Sequence, residues 1–330
     1  MRSRVTELLG IEHPIVLGGM GSGTSPELVT AVSNAGGLGV QGCAGRSPDQ
    51  IAQLAATIRA GTTRPFGLNL LLFMATEPAI DAVLESRPLV VSTAWPWPDF
   101  DLAKLFARAH SAGANVMHMV STLDEARRAA EAGADLIVAQ GTEGGGHVGV
   151  IGTIVLVPQV VRAVAPLPVL AAGGIADGAG LAAALMLGAE GVLLGTRFLA
   201  TPEAPLPDAY KEAICGSNGH DTLLTELPDV IAGQVWPGAY ARVLRTPFVQ
   251  EWLGREGDVR QRRAELLQRV ARAREQGDVA NGSLLIGQDA GLIDSVEPAA
   301  EVVSRMVREA EAILDRRPGE VRAGLSAGRT

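Results

Sequence analysis

The stretch Ala134–Gly149, ADLIVAQGTEGGGHVG, decides how the whole chain is read. Its first half, Leu136 to Ala139, is a short apolar run with β-branched members, the pattern of a buried strand. Its second half, Gln140 to Gly149, sets five glycines in ten residues around one imidazole, His147. Glycine lets a backbone approach a flat ligand closely, and imidazole titrates near neutral pH. A strand end followed by such a loop reads as a cofactor loop with a proton-handling group. If that strand belongs to a repeated set, the other strand ends should carry the rest of a site.

Outward from it, short β-rich runs alternate with helical, alanine-rich stretches. The strand candidates are 15–17, 39–41, 66–70, 89–92, 115–119, 136–139, 169–172 and 191–194. The helices expected between them are 26–34, 48–60, 79–85, 102–112, 122–132, 155–165 and 178–187. Several end on a glycine (Gly36, Gly61, Gly113, Gly133, Gly188), the expected C-terminal signal. Every connection is too long for a hairpin, so the expectation is an α/β fold: a (β/α)8 TIM barrel with its site at one face of strand ends. The domain organisation expected is a barrel over 1–201 and an appended, mainly helical C-terminal subdomain over 202–286, beside the barrel mouth. A return segment and final helix follow over 287–315, with the helix placed at 298–314, and then a loose tail over 316–330.

Composition narrows the function classes. The hydrophobic fraction is 47% with forty glycines and 4% aromatics, an Ala, Val, Leu and Gly interior that suits a parallel sheet covered by helices. A net charge of -8 argues against nucleic-acid and anionic-membrane partners. Cys43 and Cys215 are expected as free thiols in a reducing cytoplasm. The first ten residues carry no apolar h-region, so no secretory signal is expected there.

Two motif matches are set aside. Gly144 to Gly149 satisfies G-x-G-x-x-G, but β-branched residues follow it instead of a helix, and no carboxylate stands at the required distance. Gly324 to Gly328 spells G-x-S-x-G without a strand before it. No P-loop lysine motif, H-E-x-x-H helix or His and Cys cluster occurs, so no metal is expected. The stronger signals are paired: Ala171 to Ile175 closes the seventh strand and Leu193 to Thr196 the eighth. In barrels these ends, with a helix N-terminus, form a phosphate site; the alternative is that Gly173 and Gly174 only make a tight turn. Asn69 and Gln140, at the ends of strands three and six, offer amides that donate and accept toward a heterocycle edge, or toward a neighbouring loop. His118, at the end of strand five, is a candidate for the mouth, whereas His13, His110 and His220 read as structural or exposed.

These residues together resemble the nitronate monooxygenase (2-nitropropane dioxygenase) family of FMN-dependent TIM barrels. Gln140 to Gly149 resembles that family's Q-G-x-E-A-G-G-H, Ala171 to Gly180 its A-x-G-G-I-A-D-G-x-G, and Leu193 to Leu199 its L-G-T-x-F-L segment. The resemblance implies that Gly19, Met20, Asn69, Gln140, Gly145, Gly173, Gly174, Leu193, Leu194, Gly195 and Thr196 bind FMN. It also implies that His147 is the catalytic residue, handling the α-proton of the substrate. Where the family often has Phe and Gly after strand four, this chain has Thr93 to Pro98, so Trp95 and Trp97 are expected in the substrate pocket.

The function expected is oxidation of an alkyl nitronate or related carbon acid with O2, His147 acting as base. One alternative is an NAD(P)H-dependent quinone or enoyl-thioester reductase on the same fold; another is a flavin- or phosphate-binding barrel without catalysis. The partners expected are a small-molecule substrate with O2 or NAD(P)H. A homodimer is left open.

Overall fold

A computed structural model describes residues 1–327. Its strands are β1 (Ile15–Leu17), β2 (Leu38–Gly42), β3 (Phe66–Leu71), β4 (Val90–Ala94), β5 (Asn115–Val120), β6 (Leu136–Gln140), β7 (Gly146–Val148), β8 (Val169–Ala172), β9 (Gly191–Leu194), β10 (Thr222–Thr225) and β11 (Tyr240–Leu244). Eight of them, in the order β1-β2-β3-β4-β5-β6-β8-β9, close into a parallel barrel, Val16 pairing with both Leu38 and Leu193. The eight expected barrel strands are all present, with ends shifted by no more than two residues.

The helices are α1 (Arg4–Leu9), α2 (Pro26–Asn34), α3 (Pro48–Gly61), α4 (Glu77–Glu85), α5 (Leu102–Ser111), α6 (Leu123–Glu131), α7 (Thr153–Val164), α8 (Gly178–Met186), α9 (Thr196–Leu199), α10 (Asp208–Cys215), α11 (Leu227–Ala232), α12 (Pro247–Trp252), α13 (Glu256–Gln261), α14 (Arg263–Gln276) and α15 (Ala299–Ala327). Side-chain N-caps start the barrel helices α2 to α6 and α8: Ser25, Ser47, Thr76, Asp101, Thr122 and Asp177 each accept from a backbone N–H two or three residues into the helix. Gly36, Gly113, Gly133 and Gly188 follow their helices at positive φ, as expected, but Gly61 is still helical and α3 stops at Thr62 in extended conformation. α1 was not anticipated; a Ser3–Thr6 capping box starts it, and its Val5 and Leu9 pack into the barrel interior.

Strand alternation divides the core. Val16, Val40, Val90, Met117, Leu136, Val138 and Leu170 fill the barrel interior, while Ile15, Leu17, Leu68, Val91, Ile137, Val169 and Val192 face the helices. α15 returns to pack against α8 and α2 through Val302, Val303, Met306 and Ala310. The helix expected to close at residue 314 instead runs to Ala327, so the stretch from Arg316 is helical and not loose over the described residues. The remainder of the tail, and with it the end of the Gly324–Gly328 match, lies outside them.

After β9 the chain builds a second body. It is not only helical: β10 and β11 pair antiparallel, and β11 pairs with β7, which projects from the barrel loop. Around this sheet α11 to α14 enclose a small core centred on Trp252, Phe248, Leu227 and Val243. The short β10 and the distant partner of β11 explain why helical patches dominated the sequence pattern there. Cys43 and Cys215 are free. No helix among the described residues is long and apolar enough to cross a membrane.

Candidate active site

A cavity of about 350 Å³ opens over the C-terminal ends of the barrel strands, within the range of small-molecule sites. Its floor is set by strand parity. In β6, Leu136 and Val138 point into the barrel, so Gln140 does too, and it emerges at the mouth. Asn69 in β3, Ser92 in β4, Ala172 in β8 and Leu193 in β9 arrive by the same count. The Asn69 amide donates to Ser92 Oγ at 3.0 Å. The Gln140 carboxamide oxygen is buried without a hydrogen-bond partner.

The glycine-rich loop forms one wall. Gly141 continues β6 by donating to Ala172 O, and Glu143 accepts from both the backbone N–H and the hydroxyl of Thr153 at 2.8–3.0 Å, capping α7, whose own N-cap is Gly152. Gly145 lies so close to the Ile286–Gly287 backbone that a Cβ there would overlap it. Gly173, with φ of 90°, turns the chain under Gly141 and Gly144. The roof comes from the second body: Tyr210, Trp236, Arg274, Ser283, Leu284 and Asp289 all line the cavity. Arg274 bonds to Ser22 at 2.9–3.0 Å across the mouth.

His147 lies on β7 at the cavity wall. Its Nε2 is 2.7 Å from Asp229 Oδ1, and its ring stacks on Trp236 with centroids 3.3 Å apart. Trp236 also meets Phe73 and Trp95, closing an aromatic cluster between barrel and roof. Trp95 itself lines the cavity with a strained backbone, φ 56°.

Of the residues expected in the site, Gly19, Met20, Asn69, Gln140, Gly145, His147, Gly173, Leu193, Gly195, Thr196 and Trp95 line this cavity. Met20 places its sulfur against Gly195. Four do not line it. Leu194 is one residue out of phase with Leu193 and packs among the outer helices. Gly174 lies behind the loop against Glu143. Trp97 is 38% exposed on the outer surface, with its indole N–H donating to Phe73 O. His118 alternates with the inward Met117 and therefore faces α5: its Nδ1 is 2.7 Å from Thr93 Oγ1 and its ring lies on Phe106. Burial, with a smaller push from the Arg128 charge, holds that imidazole down at about 3, so it is neutral and structural.

The expected helix N-terminus at the phosphate end is also otherwise engaged. Gly178 N donates to Glu309 and Gly180 N to Asp177, which leaves Gly173 after β8 and Gly195 and Thr196 after β9 as the contribution of this end to the cavity. Beside Thr196 stands Asp289, buried, its carboxyl pushed up to about 7 by desolvation against weaker help from its own backbone N–H, Thr196 and Arg197. Asp229, Trp236, Arg274, Ser283 and Asp289 were missed in the sequence. They come from a region without repeat structure, and only the fold brings them to the barrel mouth.

A family model described as Nitronate monooxygenase matches residues 2–79 and 75–309. A (3aS,4S,5R,7aS)-5-hydroxy-7a-methyl-1-oxo-octahydro-1H-indene-4-carboxyl-CoA dehydrogenase of Mycobacterium tuberculosis is 41% identical over 76% of this chain and 68% of its own. The structure of FabK from Thermotoga maritima matches with a TM-score of 0.87 at 37% identity, over 97% of this chain and 99% of that one. A nitroalkane oxidase from Streptomyces ansochromogenes matches with a TM-score of 0.80 at 29% identity, again over 97% and 99%.

Proposed function

The chain belongs to the nitronate monooxygenase family and is a flavin-dependent oxidoreductase, and from that premise we propose that it oxidises an alkyl nitronate or related carbon acid with O2 and FMN, His147 acting as base on the neutral nitroalkane or carbon acid, whose α-proton it takes to give the oxidisable anion. The observation that carries this reading is the placement of His147 on the wall of a cavity whose floor holds the unpartnered Gln140 amide.

The residues present fit a flavin. A buried amide oxygen without a partner costs free energy unless a ligand donor meets it, and a flavin ring N–H is such a donor. Asn69 and Gln140 would hold the ring edge, Gly19 and Met20 would lie beside the ring, and Gly145 leaves room at the loop. Gly173, Gly195 and Thr196 would serve the phosphate end with backbone donors, the means open to a chain of net charge -8. FMN bound there would supply the electron-accepting centre. The chain's own work is then to exclude water under Trp95, Trp236 and Leu284, orient the substrate, and accept the proton at His147. In this reading the region 202–286 is the substrate-side roof of the barrel.

A second reading is favoured by one specific finding, the 41% identity to a carboxyl-CoA dehydrogenase. A thioester carries an acidic C–H beside its carbonyl, so the same base would serve, and Arg274 at the mouth would suit a phosphate-bearing carrier. NAD(P)H-dependent reduction of a quinone or enoyl thioester belongs with this alternative. A non-catalytic barrel is set aside by family membership.

Stopped-flow spectroscopy of the purified flavoprotein decides between them. Alkyl nitronates are expected to reduce the flavin and, in air, to give nitrite with oxygen uptake. Bleaching by NADH or NADPH at catalytic rates without any nitronate turnover would replace the first reading by the second.

A further inference from the structure

The proton-handling residue and its nearest polar and aromatic partners come from different parts of the chain. His147 is carried by β7 of the barrel loop, whereas Asp229 lies in the first turn of α11 and Trp236 in the turn between Gly233 and Gly238, both at positive φ. The backbone then returns as β11 and pairs Ala241 with His147 itself. One segment, 229 to 241, therefore wraps the imidazole with a carboxylate, an indole face and a strand. The His147 and Asp229 side chains are 13% and 9% exposed.

We propose that Asp229 and Trp236 are the positioning residues of His147, fixing it as the Nε2–H tautomer so that Nδ1 is the proton-accepting atom of the reaction. The proposal rests on the reading of His147 as base. A carboxylate can only accept, so the proton in the 2.7 Å contact sits on Nε2 and the lone pair of the neutral ring is on Nδ1. Among the described residues Nδ1 has no hydrogen-bond partner. The indole lies parallel to the ring within 5°, which forbids rotation about the Cβ–Cγ bond, and Phe73 holds that indole from the barrel side at 4.5 Å. When Nδ1 takes a proton the ring becomes a cation between a carboxylate and a π-face, both of which favour the charge. A contact that only docked the second body would require neither the stacking nor the unpartnered nitrogen.

Other charged groups on the surrounding elements are engaged elsewhere. Arg242 donates to Thr142 O and Thr222 Oγ1, Glu143 accepts from Thr153, Arg263 packs over Gly233, Arg274 binds Ser22, and Asp289 sits against Thr196. Glu226, at the start of α11, is exposed.

The test begins on the flavin-loaded protein without substrate. Nitrogen-15 histidine NMR, with His147 assigned through loss of its resonances in His147→Gln, is expected to show Nε2 protonated and Nδ1 bare, and Asp229→Asn is expected to shift that pattern. In turnover of a neutral nitroalkane, which must lose its α-proton, Asp229→Asn should lower kcat by about tenfold to a hundredfold and move the acid limb of kcat/KM to lower pH, with flavin content unchanged. Asp229→Glu should recover part of the loss, and Trp236→Phe should retain more activity than Trp236→Leu. An Nδ1-protonated His147, or a pH profile of Asp229→Asn superimposable on the parent's, overturns the proposal. Full turnover by His147→Gln would instead overturn the base reading, and with it the role of Nδ1, while the tautomer is still read from the resonance alone.

Discussion

Whether a residue at a barrel strand end reaches the cavity or the outer helices is decided by one step of register. Gln140 and Leu193 fall on the inward count, and Leu194 and His118 fall on the outward one. The residue types are legible in the sequence, but the parity of positions 118 and 194 follows only once the structure shows Met117 and Leu193 facing inward. Trp97 falls elsewhere for another reason: Trp95 leaves β4 at positive φ, so the two indoles do not share a face, which no spacing rule forecasts. Replacing Gln140 by Ala removes the unpartnered amide and should weaken FMN binding roughly tenfold in a fluorescence titration, the worth of one hydrogen bond of about 1.4 kcal/mol. Trp95→Gly should relieve a backbone cost of about 1–3 kcal/mol while removing a wall of the cavity. Because Trp95 is buried in the cluster with Trp236, losing its indole costs about 3–5 kcal/mol, more than the relieved strain, so the expected outcome is a raised KM for small substrates with a lowered Tm, checked by steady-state kinetics and thermal melts.

At the scale of elements, the barrel was legible because each βα unit is locally written: a β-branched run, a polar cap, an amphipathic helix and a glycine after it. The sheet β10-β11-β7 was not, since β7 is a three-residue piece of a glycine loop and its partner lies far along the chain. The segment read as a cofactor loop contains a strand, β7, whose pairing with β11 holds His147. Gly145 is the point of closest approach between that loop and the Ile286–Gly287 backbone. Gly145→Val should therefore spring the loop from the second body, releasing flavin and speeding proteolytic cleavage within 202–286, both measurable on one preparation. Equal flavin retention and equal cleavage rates would show that the loop can yield at no cost.

For the molecule as a whole, two buried groups push the pH dependence of stability in opposite directions. His118 is held down at about 3, so the folded state binds fewer protons than the unfolded one between there and the ordinary imidazole value of 6.5; its contribution is present above that value and is lost as pH falls through the interval. Asp289 is held up at about 7 from 3.8, so the folded state binds more protons across that interval and stability falls as pH rises through it. Each slope is at most about 1.4 kcal/mol per pH unit, and where they overlap they oppose one another. Asp289→Asn should leave a protein that gains stability relative to the parent as pH rises from 4 to 7, and His118→Gln one that gains relative to it as pH falls from 6.5 to 4. Thermal melts across that range test both. A difference independent of pH would mean that the carboxyl or the imidazole titrates normally in the folded chain.

The strand that carries His147 belongs to the barrel by covalent connection and to the roof by hydrogen bonding. Lifting the roof to admit a substrate or release a product would therefore strip the ladder at Ala241 and withdraw Asp229 and Trp236 in the same movement. On the reading of His147 as base, a roof lifted from β7 and a base positioned by Asp229 and Trp236 would then be mutually exclusive states.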